Sequence, residues 1–235
     1  MTAPARRLPA ALACCALLAV GGAGCGGDDD GGPAATAART TAAAQQGRAV
    51  DDAQALVLAR LLQLNWQSGG ARFTGSLPLH GQPVELRGRV DFRDGRGEMT
   101  LTDPTGQERR YVWTRRTVRA QAAPGSGRYV AQAPDPSGDP VHAVIAFLNL
   151  LSAETIDNTT NIKDQGARWL GRATLDGEAV DRYRYGGGGR TSYWVGVDDG
   201  LLRKVQARLP DDSLLTVRLT AHGPVRVALP RAGGR

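Results

Sequence analysis

The stretch from Gly166 to Leu209, GARWLGRATLDGEAVDRYRYGGGGRTSYWVGVDDGLLRKVQARL, constrains the fold more than any other part of the chain. Trp169, Gly171, Ala173 and Leu175 alternate with Leu170, Arg172, Thr174 and Asp176, and Asp176-Gly177 then supplies a turn. Val180 to Tyr185 begins again, Gly186 to Gly189 follow, and Ser192 to Val197 leads through Asp198-Asp199-Gly200 into Leu201 to Leu209. Successive side chains of a strand point to opposite faces. The pattern therefore predicts four antiparallel strands with one covered apolar face and one wet face carrying Arg172, Arg182, Arg184 and Arg203. A sheet with one dry face needs a cover.

Two segments can supply it. Asp51 or Asp52 caps a helix in which Ala55, Leu58 and Leu62 recur, with Leu61 and Trp66 close by, before Ser68-Gly69-Gly70 stops it. Asp139-Pro140 opens a second, with Asp as the cap and Pro in the first turn, and Val141 to Leu151 is apolar on most of its circumference. Between them lie further strands: Phe73 to Leu79, then Val84, Leu86, Gly88, Val90 and Phe92 alternating with Glu85, Arg87, Arg89 and Asp91. Turns at Asp94-Gly95 and Asp103-Pro104-Thr105-Gly106 connect to Gly97, Met99 and Leu101 and to Tyr111 and Trp113. Val118 to Gln121 and Tyr129 to Ala133 complete the first half; Ser213 to Thr220 and Val225 to Leu229 are the last strands expected, and Asn158-Thr159-Thr160 reads as a loop. The expected fold class is α+β: a strongly curved antiparallel sheet, a half-barrel, with helices covering its apolar concave face.

The first residues read as targeting. Arg6-Arg7 precede an apolar Leu8 to Val20 run too short to cross a bilayer, and small residues follow to Cys25. Gly22-Ala23-Gly24-Cys25 resembles the bacterial lipobox, with Gly22 where an aliphatic residue is usual. That resemblance implies cleavage before Cys25 and acylation of its thiol by diacylglycerol and a fatty acid such as palmitate. The organisation expected is a leader over 1–24, a flexible tether over 25–48, one domain over 49–230 and a tail over 231–235. The tether follows from composition, since Gly, Asp, Ala, Thr and Gln bury too little surface to order themselves. Asp28-Asp29-Asp30 within it is a solubilising charge run.

The segment Asp176 to Tyr183 with Tyr193-Trp194-Val195-Gly196-Val197-Asp198-Asp199-Gly200-Leu201-Leu202-Arg203-Lys204-Val205 resembles the second half of LppX/LprG-type cell-envelope lipoproteins, which are related in fold to the carrier LolA. The order of lipobox, tether, helix, strands, helix and strands is similar as well. The resemblance implies a lipid-anchored protein on the extracytoplasmic face of the cell membrane that binds or carries the acyl chains of a lipid or glycolipid, with a membrane transporter as a further partner. It also implies a cavity walled by Phe73, Leu77, Val84, Leu86, Val90, Phe92, Met99, Leu101, Tyr111, Trp113 and Trp169, with Leu58, Leu62, Ile145 and Leu148 on the helical side. Gly75, Gly88 and Gly171 on that phase would leave room. The pattern fits a filled core equally, and then an envelope sensor or docking module for a protein partner is the alternative.

Other classes find little support. His80, His142 and His222 are far apart in sequence, and no H-E-x-x-H, G-x-S-x-G or paired cysteine ligands occur. No enzymatic activity, metal or cofactor is expected. The net charge of +6 is spread along strand phases and only 5% of residues are aromatic, so no nucleic-acid partner is expected.

Overall fold

A reciprocal cap starts the first helix. The Asp51 carboxylate accepts the Gln54 amide N–H at 2.9 Å, and the Gln54 side-chain oxygen accepts that of Asp51 at 3.2 Å. This sets α1 at Asp52–Ser68, and Gly69, at φ +87°, ends it in the left-handed conformation that glycine adopts without a Cβ clash. A computed structural model of the chain describes residues 47–186, 189–209 and 212–230. The leader, Cys25, the tether up to residue 46 and the tail at 231–235 lie outside the described residues.

The strands are β1 (Arg48–Ala49), β2 (Gly70–Leu79), β3 (Gln82–Asp91), β4 (Arg96–Thr102), β5 (Glu108–Thr114), β6 (Thr117–Gln121) and β7 (Tyr129–Gln132). Two helices follow, α2 (Pro140–Asn149) and α3 (Thr159–Asp164), and then β8 (Arg168–Leu175), β9 (Glu178–Arg184), β10 (Thr191–Gly196), β11 (Leu202–Arg208) and β12 (Leu214–His222). All pair antiparallel in one open sheet of order β1-β8-β9-β10-β11-β12-β2-β3-β4-β5-β6-β7. The fold is the curved α+β half-barrel expected. Its two halves join where β12 meets β2, with Leu219 opposite Phe73 and Val217 opposite Gly75. The edges are blunted: β1 is two residues long and β7 four.

The covered face carries the core. Phe73, Leu77, Val84, Leu86, Val90, Met99, Leu101, Tyr111 and Trp113 from the first half meet Val205, Leu215, Val217 and Leu219 from the second, together with Leu58 of α1 and Val144, Ile145 and Leu148 of α2. Side chains of this size contribute about 1.5–3 kcal/mol each when fully buried. Polar anchors hold the helices in place. The Trp113 Nε1–H donates to Asn149 Oδ1 at 3.2 Å, Ser152 Oγ–H to the Phe92 carbonyl at 3.2 Å, and buried Asn65 Nδ2–H to the Leu151 carbonyl at 2.7 Å. Asp139 caps α2 by accepting from the Val141 and His142 amides at 2.8 and 3.3 Å.

Three local expectations are corrected. Asn158-Thr159-Thr160 is a helix start, not a loop: Asn158 Oδ1 accepts from the Thr160 and Asn161 amides at 2.8 and 3.3 Å and opens α3, which buries Ile162. Residues 224–230 form no strand, while β12 runs on to His222. In β8 the register shifts between Trp169 and Gly171, so that Trp169 lies opposite Tyr183 but Gly171 lies opposite Arg182. Leu170 is thus an extra residue, and a bulge of this kind reverses the phase beyond it. Trp169 faces the helices; Gly171, Ala173 and Leu175 face away, and Arg172 shares the helix side with Asp181.

Candidate functional site

The residues expected to wall a cavity are brought together. Phe73, Leu77, Val84, Leu86, Val90, Phe92, Met99, Leu101, Tyr111, Trp113, Leu58, Ile145 and Leu148 are all buried in one cluster, and Trp169 packs against its margin. Leu62 is half-buried and stands outside the cluster. Gly75 and Gly88 do not leave the room expected of them, and Gly171, which has open space, lies beyond the bulge on the face away from the helices. A Cβ on Gly88 would fall 2.8 Å from Phe73 Cζ, and one on Gly75 would strike the Thr216 carbonyl. Gly97 has the same role: its missing side chain is replaced by the indole of Trp113, with Cε2 and Cη2 both 2.5 Å from where a Cβ would sit. The aromatic rings of this face therefore lie over glycines of the neighbouring strands.

Open space lies one step to the side, where the sequence reading did not place it. Ala53, Leu56, Val57 and Leu64 of α1 face Tyr183 of β9 and Val195, Gly196 and Val197 at the end of β10 across a groove of about 390 Å³. Leu56 is 40% exposed. Tyr183 and Val195 belong at once to the groove wall and to the buried core. The signal for it was a second apolar stripe on α1, formed by Leu56, Val57 and Leu64 beside the Ala55, Leu58 and Leu61 stripe that binds the sheet.

The charged residues that line the groove are Arg60, Asp181 and Asp199. Asp181 accepts from Trp169 Nε1–H at 3.3 Å and from the Arg172 guanidinium at 3.2 and 3.3 Å. Asp199 accepts from the Leu201 amide at 3.0 Å and from Arg203 at 2.7 Å. Burial works against the Asp199 charge, but these two donors outweigh it and hold the carboxyl below its usual range. The Tyr183 phenol is pushed up to about 12, by burial first and by the Asp181 and Asp51 carboxylates after it. Both carboxylates are thus occupied, and what remains free in the groove is apolar surface together with the Arg60 guanidinium.

The three histidines sit on separate elements. His80 is in the turn after β2, His222 ends β12, and His142 is buried in α2, where Nδ1 accepts the Asp135 amide at 2.9 Å and Nε2 meets the Gln132 side chain at 2.8 Å. An Nδ1 that accepts leaves the neutral ring's proton on Nε2, so the amide oxygen of Gln132 is the partner that fits. Among the described residues no group of three or more His, Cys, Asp or Glu is placed to hold a metal ion.

No family model matches the chain, and no curated protein does. Solved structures do. The lipoprotein LppX of Mycobacterium tuberculosis matches 74% of this chain and 98% of its own at 11% identity and a TM-score of 0.46. The LolA-superfamily protein NE2245 of Nitrosomonas europaea matches 72% of this chain and 95% of its own at 9% identity and 0.30. MucB, in its complex with MucA from Pseudomonas aeruginosa, matches 77% of this chain and 60% of its own at 15% identity and 0.35. LppX and the LolA superfamily are the group that the hairpin residues of the second half resemble.

Proposed function

We propose that the chain is an envelope lipoprotein, acylated on Cys25, that holds the acyl chains of a lipid or glycolipid at the extracytoplasmic face of the cell membrane. The observation that carries this reading is the apolar groove between α1 and β9–β10. Its volume lies in the range of about 300–1,000 Å³ typical of small-molecule sites, and both of its carboxylates are already paired. An acyl chain gains about 0.8 kcal/mol for each CH₂ withdrawn from water, so a groove of this lining favours a hydrocarbon over any polar ligand. We place the chain against Val57, Tyr183 and Val195 rather than among Phe73, Met99 and Trp113, because the latter pack on each other and on glycine backbone.

Native mass spectrometry with organic extraction tests the reading on the chain from Gly26 onward, which retains every described element and omits the acylation site. The expected result is co-purified lipid at about one molecule per chain, lost in Val57→Trp and Val195→Trp variants that fill the groove. A bare protein mass from a membrane-containing host would remove the lipid reading and leave the groove to a protein partner.

A further inference from the structure

The uncovered face of the sheet is polarised along its strands. Cross-strand pairing sets Ala49, Arg168, Arg184, Ser192 and Gln206 in one row and Arg182, Trp194, Lys204 and Arg218 in the next. Of the cations in these rows, Arg218 is paired with Asp176. Arg168, Arg182, Arg184 and Lys204 have no carboxylate partner among the described residues; Arg182 donates to the Leu170 carbonyl at 2.9 Å, and the Lys204 ammonium lies 4.5 Å from the centre of the Trp194 ring. Of the acidic side chains of this half, Asp176, Glu178 and Asp199 lie in and beside the turns at the other end of the strands and are taken up by Arg218 and Arg203, while Asp212 at the near end is taken up by Arg190 and Asp181 by Arg172 on the helix side. The first half of the sheet is different. There Glu98 pairs with both Arg89 and Arg110 at 2.7 Å and Glu108 pairs with Arg87, so three of its strand arginines are laddered to carboxylates within the sheet.

The unpaired cations sit where the N-terminal segment leaves the fold. Ala49 of β1 is directly opposite Arg168, in the same row as Arg184, and the 46 residues that precede Gly47 continue from this edge. A surface beside the first described residues that carries an excess of positive charge around a partly exposed tryptophan matches the chemistry of a bilayer interface. Lys and Arg meet anionic headgroups there, and an amphipathic indole settles at headgroup depth.

We infer that Arg168, Arg182, Arg184, Trp194 and Lys204 form a docking patch for the anionic phospholipid headgroups of a membrane. The patch is read from charge and topology alone; only its purpose, bringing the groove to a bilayer that supplies or receives lipid, rests on the function proposed above. Each cation near an anionic surface adds about 1 kcal/mol, so the four together give a salt-sensitive, reversible attachment on the sheet face opposite to α1.

The test is sedimentation of the chain from Gly26 onward with vesicles of phosphatidylcholine alone or mixed with phosphatidylglycerol. Binding is expected only to the mixed vesicles and is expected to fall as salt rises. The triple variant Arg168→Glu, Arg184→Glu, Lys204→Glu should bind at least about tenfold more weakly. The control Arg87→Glu, Arg110→Glu, which changes the laddered half of the same face, should weaken binding far less. Thermal unfolding of each variant shows that the fold survives, and Trp194→Phe should abolish quenching by brominated lipid. Equal losses in both charge variants, equal binding to neutral vesicles, or a preference for a DNA duplex over anionic vesicles would each overturn the patch. Lipid content by mass spectrometry separates the two ideas: the triple variant should keep its lipid, and a groove variant should keep its vesicle binding.

Discussion

The indole of Trp113 occupies the place of a side chain that Gly97, directly opposite on the neighbouring strand, does not have. Trp113 is wholly buried, and its Nε1–H is tied to Asn149 at the end of α2, so the ring cannot move aside without releasing the helix. Gly97→Val should therefore destabilise the fold by about 3 kcal/mol through overpacking, and Trp113→Ala by about 3–5 kcal/mol through the cavity it leaves. Urea unfolding of both variants measures this. A Gly97→Val protein as stable as the parent would mean that the glycine is incidental.

Asn65 is buried in α1 and its Nδ2–H donates to the Leu151 carbonyl in the segment after α2. Asn65→Ala strands that carbonyl, which costs about 1–3 kcal/mol. Hydrogen exchange should report it first in residues 150–157, where the Ala153 and Asp157 amides donate to the Leu62 and Ala59 carbonyls of α1. Uniform loss of protection over the whole sheet would contradict a local role.

Alkaline pH should unfold the protein from the groove side. Burial pushes the phenols of Tyr183 and Tyr193 up to about 12 from an ordinary 10.0. The folded protein then holds protons that the unfolded chain has released, so this stabilisation is complete below pH 10 and is lost as pH rises through 10 toward 12. Denaturation midpoints measured across that window should slope downward, and Tyr183→Phe should flatten the slope. A parent protein with no slope there would show that both phenols ionise as they do in water.

Gly171 follows the bulge in β8 at φ +101°, a conformation that other residues adopt only under strain, and no atom lies within 4 Å of where its Cβ would be. Gly171→Ala therefore tests backbone strain without steric conflict, and a loss of about 1–3 kcal/mol is expected. Deleting Leu170 instead removes the extra residue and should regularise the strand while Arg172 stays on the helix side and Ala173 and Leu175 stay facing away, a change beside Trp169 that near-ultraviolet circular dichroism would register. If neither change alters stability or spectrum, the bulge has no hold on the edge of the sheet.

Asp139 accepts two amide hydrogens at the start of α2, so Asp139→Ala should cost about 1 kcal/mol. Asp139→Asn should recover most of it. Failure of the Asn variant to do so would point to the carboxylate's charge rather than to the cap.

Much of this protein follows from local rules that a sequence carries in full. The two-residue period of Val84 to Phe92 specifies a strand with one dry face wherever it pairs, and Asp51 with Gln54, or Asp139 with Pro140, specifies a helix start because the bonds span only two or three residues. Four strands between Gly166 and Leu209, six between the first two helices, and the burial of Phe73, Leu86, Met99 and Trp113 were legible for that reason. Tertiary structure decided whatever depends on partners distant in the chain. The pairing of β12 with β2 joins residues more than a hundred positions apart, and only it makes one sheet of two halves. The bulge at Leu170 reverses a face that perfect alternation in sequence had assigned, because a strand's phase is counted against its neighbour. Room for a ligand was expected at Gly88, yet a missing side chain makes space only if nothing else enters it, and the Phe73 ring does. The groove instead opens where α1, held on the sheet by one apolar stripe, leaves its second stripe facing Tyr183 and Val195.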